Sequence, residues 1–320
     1  MHWTRVALYH IIITMAIVSI PSLSFAHGIA GKRFFPTTLS IDDPFVSDEL
    51  SFLAGYIKEP AGEESSTKNT SLSLDFSKRL TQNLGISIGN EFSHLNPDEG
   101  KTHYGLGNLE VGIKYQFFKS DAHETILSLG VGSEIGGTGK KAIGAESFSV
   151  FSPTFFFGKG LGDLPEGAKY LRPLAITGVT GFNFPSRKRN VDTTVDPVTG
   201  KTQQDISHNP TTLTWGFAVQ YNLQYLQSFV KDIGLPAPLN RMIFLVEFPF
   251  KTNLTHDGKG QTTGFVNPGI TWFGKSMQLG IEARIPVKES TGAHTGVFGL
   301  VHFFIDDLFP KSLGRPIFDW

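Results

Sequence analysis

One short run in the chain has the spacing of a nucleophilic serine site. Gly85-Ile86-Ser87-Ile88-Gly89 matches the pattern Gly-x-Ser-x-Gly, whose serine acts from a sharp turn between a strand and a helix. Here apolar residues alternate with small or polar ones on both sides of Ser87, which places this serine in the middle of a strand. The metalloprotease pattern His-Glu-x-x-His does not occur. The sequence therefore predicts no enzyme, no catalytic residue and no cofactor.

Histidine is the residue type with the next claim to chemistry. Imidazole nitrogen suits Cu, Zn or Ni, and His27 would supply both an amine and a ring if the mature chain began there. No two histidines have the spacing of metal ligands on one helix, so we expect solvated side chains and no metal site. Capture of a metal by the loops stays open as an alternative. The histidines in or beside the expected loops are His94, His103, His208, His256 and His294.

Eight charged residues fall on the polar face of segments that alternate in polarity. A charge that faces lipid near the bilayer midplane costs about 2–4 kcal/mol for a cation and less for an acid, so all eight are predicted to point inward. Six are acids and two are bases. They could form a network of ion pairs and waters that fills a narrow barrel, or an acidic lumen that favours cations and neutral polar solutes. These candidate lumen-lining residues are Asp75, Glu91, Glu110, Lys114, Glu134, Glu247, Glu282 and Arg284.

Alternation with a period of two is the dominant pattern beyond residue 45. Leu72, Leu74 and Phe76, for example, alternate with serine and aspartate, as in a strand with one apolar and one polar face. We expect about twelve strands of about ten residues, the length that crosses a bilayer at the usual tilt. The clear segments are 71–77, 84–91, 108–117, 127–132, 212–222 and 277–285, and the less regular ones are 48–57, 147–159, 171–183, 241–250, 264–273 and 294–305.

The lengths of the connections favour a membrane barrel over a soluble β-sandwich. Long polar segments alternate with tight turns, as expected for a barrel with outer loops and periplasmic turns. Two connections on the short side, 160–170 and 228–240, are longer, and the second could contain a short helix against the barrel end. The fold class is therefore all-β, a transmembrane antiparallel outer-membrane β-barrel. The long segments are 58–68, 95–104, 136–146, 184–210, 251–263 and 288–293, and the tight ones are 80–83, 119–122 and 274–276.

The first residues predict export. A short basic start, an apolar run and small residues before Ala26 form a secretory signal, with cleavage expected between Ala26 and His27. The domains expected are a signal peptide at 1–26, a periplasmic segment at 27–47, the barrel at 48–305 and a tail at 306–320. The tail contains two prolines and is expected inside the barrel or in the periplasm.

Composition and the last residues indicate the partners. The chain has 320 residues, a net charge of -1 and no cysteine, so there is no reason to propose nucleic acid and no disulfide is available. Its 35 glycines and 28 phenylalanines fit an outer-membrane barrel in contact with lipid. The aromatic residues Phe318 and Trp320 near the end resemble the signal that barrel-assembly machinery reads. Aromatics near strand ends, Tyr225 among them, predict interface girdles.

The run Gly105-Leu106-Gly107-Asn108-Leu109-Glu110-Val111-Gly112-Ile113-Lys114-Tyr115 resembles a strand of exported barrels associated with the MetA pathway of phenol degradation. That family consists of outer-membrane transporters and more often has Asp at the position of Asn108. The resemblance covers about 48–305. It implies a barrel and passage of small molecules, with no catalytic residue and no defined ligand.

The function expected from the sequence is that of an outer-membrane channel or transporter-like barrel. Small molecules would cross it by passive passage or facilitated uptake. One rival is a structural or surface-interaction barrel whose lumen is blocked. Others are a lipid-modifying enzyme with its site at the rim and a metal-capture barrel.

Overall fold

The computed structural model describes residues 28–60, 65–195, 202–256, 258–288 and 291–318. The expected signal peptide at 1–26, its cleavage site and Trp320 lie outside the described residues. Within the described ranges, no helix is both long enough and apolar enough to cross a membrane.

Twelve antiparallel strands of the described chain form one sheet that closes on itself. Each strand pairs with the next along the chain, and the last pairs with the first from Val297↔Tyr56 to Phe304↔Glu49. The predicted closed barrel of about twelve strands is confirmed. The strands are β1 (Glu49–Pro60), β2 (Ser66–Arg79), β3 (Leu84–Pro97), β4 (Leu109–Ser120), β5 (Thr125–Ile135), β6 (Val150–Gly160), β7 (Leu174–Pro185), β8 (Thr212–Asn222), β9 (Met242–Asn253), β10 (Thr262–Phe273), β11 (Met277–Pro286) and β12 (Gly296–Phe304).

The outer face of the barrel is apolar because each strand turns its large hydrophobic residues outward. Leu72 is 51% exposed and Ile281 is 55% exposed, values that would be unfavourable in water for so many neighbouring side chains. A hydrocarbon environment removes that cost, and a closed barrel leaves no strand edge unpaired in it. Other members of this belt are Phe52, Leu74, Ile88, Val111, Ile113, Leu129, Phe182, Phe244, Leu279 and Val301.

The connections fall into two groups at opposite ends of the barrel. The short-turn end carries 80–83, 121–124 and 274–276, together with the 3-10 helix Glu166–Leu171. It also carries Leu223–Tyr225 and Leu226–Val230, so the helix expected within 228–240 lies mostly before that range. The long-loop end carries short extra strands that alternation did not predict, at His103–Leu106, Arg189–Val195 and Thr202–His208.

The N-terminal segment lies inside the barrel. A small hairpin, Ile29–Ala30 with Arg33–Phe34, sits at the short-turn end, and residues 35–48, which we call the plug, continue into the lumen. The sequence predicted that 27–47 lies in the periplasm. The described part of this segment instead lies at the short-turn end and within the lumen. Plug side chains pack against apolar residues of the barrel wall. Phe35 packs with Ile126, and Ile41 packs with Phe156. The plug therefore fills space that alternation alone would leave empty.

The C-terminal tail covers part of the short-turn end. After the short helix Ile305–Leu308, the chain folds back beneath β2. Lys78 Nζ donates to the carbonyl oxygens of Leu313 and Arg315, at 2.7 and 2.6 Å. The amide of Phe318 donates to Leu80 O at 2.8 Å. Hydrogen bonds to and from the backbone of the tail thus hold it at the barrel end.

Candidate functional site

A buried glutamate of the wall holds the tip of the plug. Glu247, on β9, accepts backbone N–H bonds from Leu39 at 2.8 Å, Ser40 at 2.9 Å and Ile41 at 2.7 Å. Glu247 is 0% exposed. Successive backbone N–H groups form a favourable cradle for an anion, so one side chain organises the turn at the plug tip.

A second glutamate binds the same turn from β11. Ser40 Oγ donates to Glu282 Oε1 at 2.6 Å. Asn267, on the strand between, donates from Nδ2 to Ser40 Oγ at 2.9 Å and to Glu282 Oε1 at 3.0 Å. We call Glu247, Glu282 and Asn267, with plug residues 39–41, the latch. It ties the plug tip to the β9–β11 side of the barrel.

On the opposite wall the plug pairs with a lysine. Lys114 Nζ of β4 lies 3.1 Å from Asp42 Oδ2 and donates to Asp43 O at 2.8 Å. Burial raises the pKa of Asp43 to about 6, with the positive charge of Lys114 acting in the opposite direction. The plug therefore neutralises a base that the sequence placed in the lumen.

Polar contacts continue along the plug below and beyond its tip. The backbone N–H of Thr37 donates to Gln278 Oε1 at 3.2 Å, and Thr37 Oγ1 lies 3.3 Å from His302 Nε2. Ser128 Oγ donates to Pro44 O. These bonds reach β5, β11 and β12, so the plug is bonded to walls on several sides.

The hairpin below the plug is fixed by a buried ion pair. Arg33 Nε donates to Glu124 Oε2 at 3.1 Å, and their side chains are 1% and 5% exposed. Tyr225 OH donates to Glu124 Oε1 at 2.9 Å, and the Arg33 guanidinium stacks 3.9 Å from the Tyr225 ring centroid. Burial and this bond raise the pKa of Tyr225 to about 12. Tyr225 thus helps to fix the hairpin through Arg33 and Glu124. It was expected instead in an aromatic girdle at the membrane interface.

The described residues line three cavities in the lumen, with volumes of about 470, 260 and 450 Å³. Asp75 and Glu110 line all three. The first runs beside the plug from these carboxylates toward Glu49, and the second reaches the long loops at 143–145. The first two cavities lie along the β1–β5 wall, and the third extends from that wall across the lumen to Asn183 of β7, Thr214 of β8 and Lys251 of β9.

The eight predicted lumen residues take three different positions. Asp75, Glu91, Glu110, Glu134 and Lys114 line the cavities, and Lys114 is also paired with the plug. Glu247 and Glu282 are covered by the plug. Arg284 lies between two aromatic rings, 4.2 Å from the Phe265 centroid and 4.3 Å from that of Phe298. The structure adds Lys251 to the third cavity. The sequence missed this base because the strand was expected to end at residue 250.

The histidines do not gather into a metal site in the described part of the chain, where no three His, Cys, Asp or Glu side chains form a group that could hold an ion. His208 and His256 stack with ring centroids 4.6 Å apart at the long-loop end. His27 lies outside the described residues. Ser87 stands within β3 and lines the lumen, as the alternation predicted.

A second run has a spacing that could be mistaken for chemistry. Gly269-Ile270-Thr271-Trp272-Phe273-Gly274-Lys275-Ser276 matches the phosphate-loop pattern Gly-x-x-x-x-Gly-Lys-Ser. Its first five residues belong to β10, and β11 follows the turn. A phosphate loop needs a helix N-terminus after it, and here a strand follows, so this run is the end of β10 and the turn at 274–276.

No family model matches the chain, and no curated protein matches it. Several solved structures are similar. An outer membrane channel from Pseudomonas putida F1 is 13% identical with a TM-score of 0.49, over 85% of this chain and 99% of that one. The KdgM porin in complex with oligogalacturonate is 12% identical with a TM-score of 0.44, over 80% and 98%. The Ralstonia pickettii toluene transporter TbuX is 9% identical with a TM-score of 0.39, over 82% and 91%. At these values the similarity carries no conclusion about cargo.

Proposed function

We propose that this protein is an outer-membrane barrel through which small molecules pass along the gap between the plug and the β1–β5 wall. The observation that carries the proposal is the asymmetry of the lumen. The latch draws the plug tip toward β9–β11, and a cavity of about 470 Å³ lies between the plug and β1–β4. A plug that served only to fill the barrel would be expected to leave no such space.

The lining of the gap indicates what could pass. Asp75 and Glu110 contribute carboxylates, and Ser77 and Ser87 add hydroxyl groups. Lys114 also lines the gap, where Asp42 of the plug offsets its charge. Charges in a pore with low-dielectric walls act strongly on passing ions, so small cations and neutral polar molecules are favoured. The resemblance of residues 105–115 to the MetA-associated barrels also points to small-molecule passage, and it assigns no cargo.

Passage to the short-turn end requires the plug to move. Below the main cavity, the described residues leave a space of about 10 Å³ among Phe35, Asp43, Phe45 and Glu49. That volume is at the lower limit for a single water molecule. The closed conformation therefore admits solute into the gap and retains it there, and plug movement completes the path. The blocked-lumen rival differs in having a plug that never moves.

The membrane location follows from the same surface chemistry. The apolar outer belt requires lipid, and closed barrels of this kind belong to outer membranes. We propose that the long-loop end faces outward, the short-turn end faces the periplasm, and lipid and the barrel-assembly machinery are partners.

A steric block in the gap tests the proposal. Ser87 lines the main cavity, while its neighbour Ile88 is 48% exposed on the outer face. Ser87→Trp should lower solute flux into liposomes and single-channel conductance at least several-fold, whereas Ile88→Trp, which adds the same ring to the lipid side, should leave both unchanged. Equal flux in the two variants, or no flux in the native barrel, would exclude passage through this gap.

A further inference from the structure

The latch contains a carboxylate oxygen with no donor. Both oxygens of Glu247 accept plug N–H groups, and Glu282 Oε1 accepts from Ser40 and Asn267. Glu282 Oε2 has no hydrogen-bond partner, although Glu282 is only 1% exposed. A buried polar atom without a partner is costly, so this oxygen requires a proton or a donor.

The two carboxyl groups lie close enough to share that proton. Both carboxyl groups bind the same plug residue, because Ser40 donates from its backbone N–H to Glu247 Oε2 at 2.9 Å and from Oγ to Glu282 Oε1 at 2.6 Å. If both were ionised, two negative charges would stand side by side in a site that water barely reaches. Closely spaced carboxylates avoid this by sharing one proton.

The groups around Glu247 and Glu282 supply too little positive charge to stabilise both carboxylates without a shared proton. Neither carboxylate forms an ion pair among the described residues. Arg284 on β11 is held between two Phe rings, and Lys114 on β4 is paired with the plug. Other charged groups that face this region are Glu59 of β1, Glu91 of β3, Lys251 of β9, His302 of β12 beside Glu49 of β1, and Asp42 and Asp43 of the plug.

We propose that the latch binds one proton shared between Glu247 and Glu282, and that loss of this proton releases the plug tip. The inference rests on the proposed function, because it names what opens the path. The proton lies on Glu282 Oε2, which donates to Glu247, while Glu247 keeps its charge for the three plug N–H groups. On release, the O–H bond of Glu282 breaks and the proton passes to water in the lumen.

The direction of the pH dependence follows from proton counting. In the released state both carboxyls are hydrated and ionise near their ordinary value of about 4.3. Docking therefore takes up one proton above that pH, and the docked fraction falls as the pH rises. A single proton changes the docking equilibrium by at most about tenfold per pH unit.

Two amide substitutions separate the roles of the carboxyls. A glutamine at position 282 can donate from its nitrogen to Glu247 and accept from Ser40 and Asn267, so Glu282→Gln should hold the plug at every pH. A glutamine at position 247 would turn a donor toward the plug N–H groups, so Glu247→Gln should release it at every pH. A merely structural role would make the two variants alike.

Cross-linking measures docking without any need for conductance. A Cβ at Gly280 would lie 3.0 Å from Leu39 Cδ1, and the native chain has no cysteine. Leu39→Cys with Gly280→Cys therefore reports contact between the plug tip and β11 through the rate of disulfide formation. Asp43→Asn is included in every protein, because Asp43 titrates as well. The matched control carries the same two cysteines together with Glu282→Gln. Dividing by its rate cancels the pH dependence of the thiol chemistry itself.

The cross-linking rate of the protein that keeps Glu282, divided by the rate of the Glu282→Gln control, should fall as the pH rises from about 5 to about 9. The fall should reach up to about tenfold per pH unit. A ratio that is constant or rises with pH overturns the proposal. Should Glu247→Gln fail to fold, this comparison still decides. If the ratio of cross-linking rates falls with pH but the barrel shows no solute flux, the proton latch is supported and the transport function is excluded. Failure of the latch and failure of the proposed function are therefore distinguishable.

Discussion

Lys114 Nζ lies 3.1 Å from Asp42 Oδ2, so a base of the barrel wall is paired with a carboxylate of the plug. The sequence placed Lys114 and Glu110 on one face of the same strand and counted both among the lumen charges. Both line the first cavity, and the pairing distinguishes them because only Lys114 is bonded to the plug. The lining of the gap therefore combines the acids on β2 to β5 with a base whose charge Asp42 offsets.

We expect Glu110→Gln to lower cation preference, measured as the reversal potential in a salt gradient. Glu110 lines all three cavities, so removing its charge weakens the negative field along the whole gap. Glu166→Gln, which removes an acid at the exposed short-turn end, should leave the potential unchanged. An unchanged potential in Glu110→Gln would remove this carboxylate from the path.

We expect Glu124→Gln to destabilise the barrel by about 3–5 kcal/mol, because the buried Arg33 would lose its ion-pair partner. The free energy of unfolding, measured from urea titration in lipid, gives the comparison. Glu166→Gln breaks the exposed pair with Lys169 and should cost no more than about 1 kcal/mol. Equal effects in the two variants would show that the Arg33–Glu124 pair does not anchor the plug.

Single cysteines test which end of the barrel faces outward. We choose Lys141 and Lys259 at the long-loop end and Gln82 at the short-turn end, all exposed. The first two should react with an impermeant thiol reagent on intact cells. Gln82→Cys should react only after lysis, and its labelling from outside would invert the proposed orientation.

Asp43 should make the stability of the barrel depend on pH. Burial raises the pKa of Asp43 to about 6 in the folded protein, above the ordinary value of about 3.9. The folded state then binds more protons than the unfolded state between these values, so stability falls as the pH rises from about 4 to about 6.

Asp43→Asn should remove this decline while keeping an oxygen that accepts the Phe45 N–H bond. The difference in unfolding free energy between native protein and variant should change by up to about 3 kcal/mol across the window. Urea titrations at about pH 4 and about pH 7 measure it. A difference that is the same at both pH values would contradict a buried, titrating Asp43.

The barrel itself could be predicted because its pattern is local. In each strand the residues that face lipid alternate with residues that face the lumen. This period of two is visible in the sequence in residues such as Leu72, Leu74 and Phe76. The same period placed Glu247 and Glu282 on the inner face, where the structure has them. Strand ends were less certain because polar loops and polar lumen residues look alike, and Lys251 was missed for that reason.

The sequence by itself determined a closed barrel, its apolar exterior and the inward side of its charges. Only the tertiary structure decided that residues 35–48 fill the lumen, because this segment has no repeat and its partners lie far along the chain, as with Leu39 and Glu247. The plug turn gains order from the carboxylate that binds it, and the carboxylate tolerates burial because the turn supplies its hydrogen bonds. The plug turn and the Glu247 carboxylate stabilise each other only once closure of the sheet has brought them together.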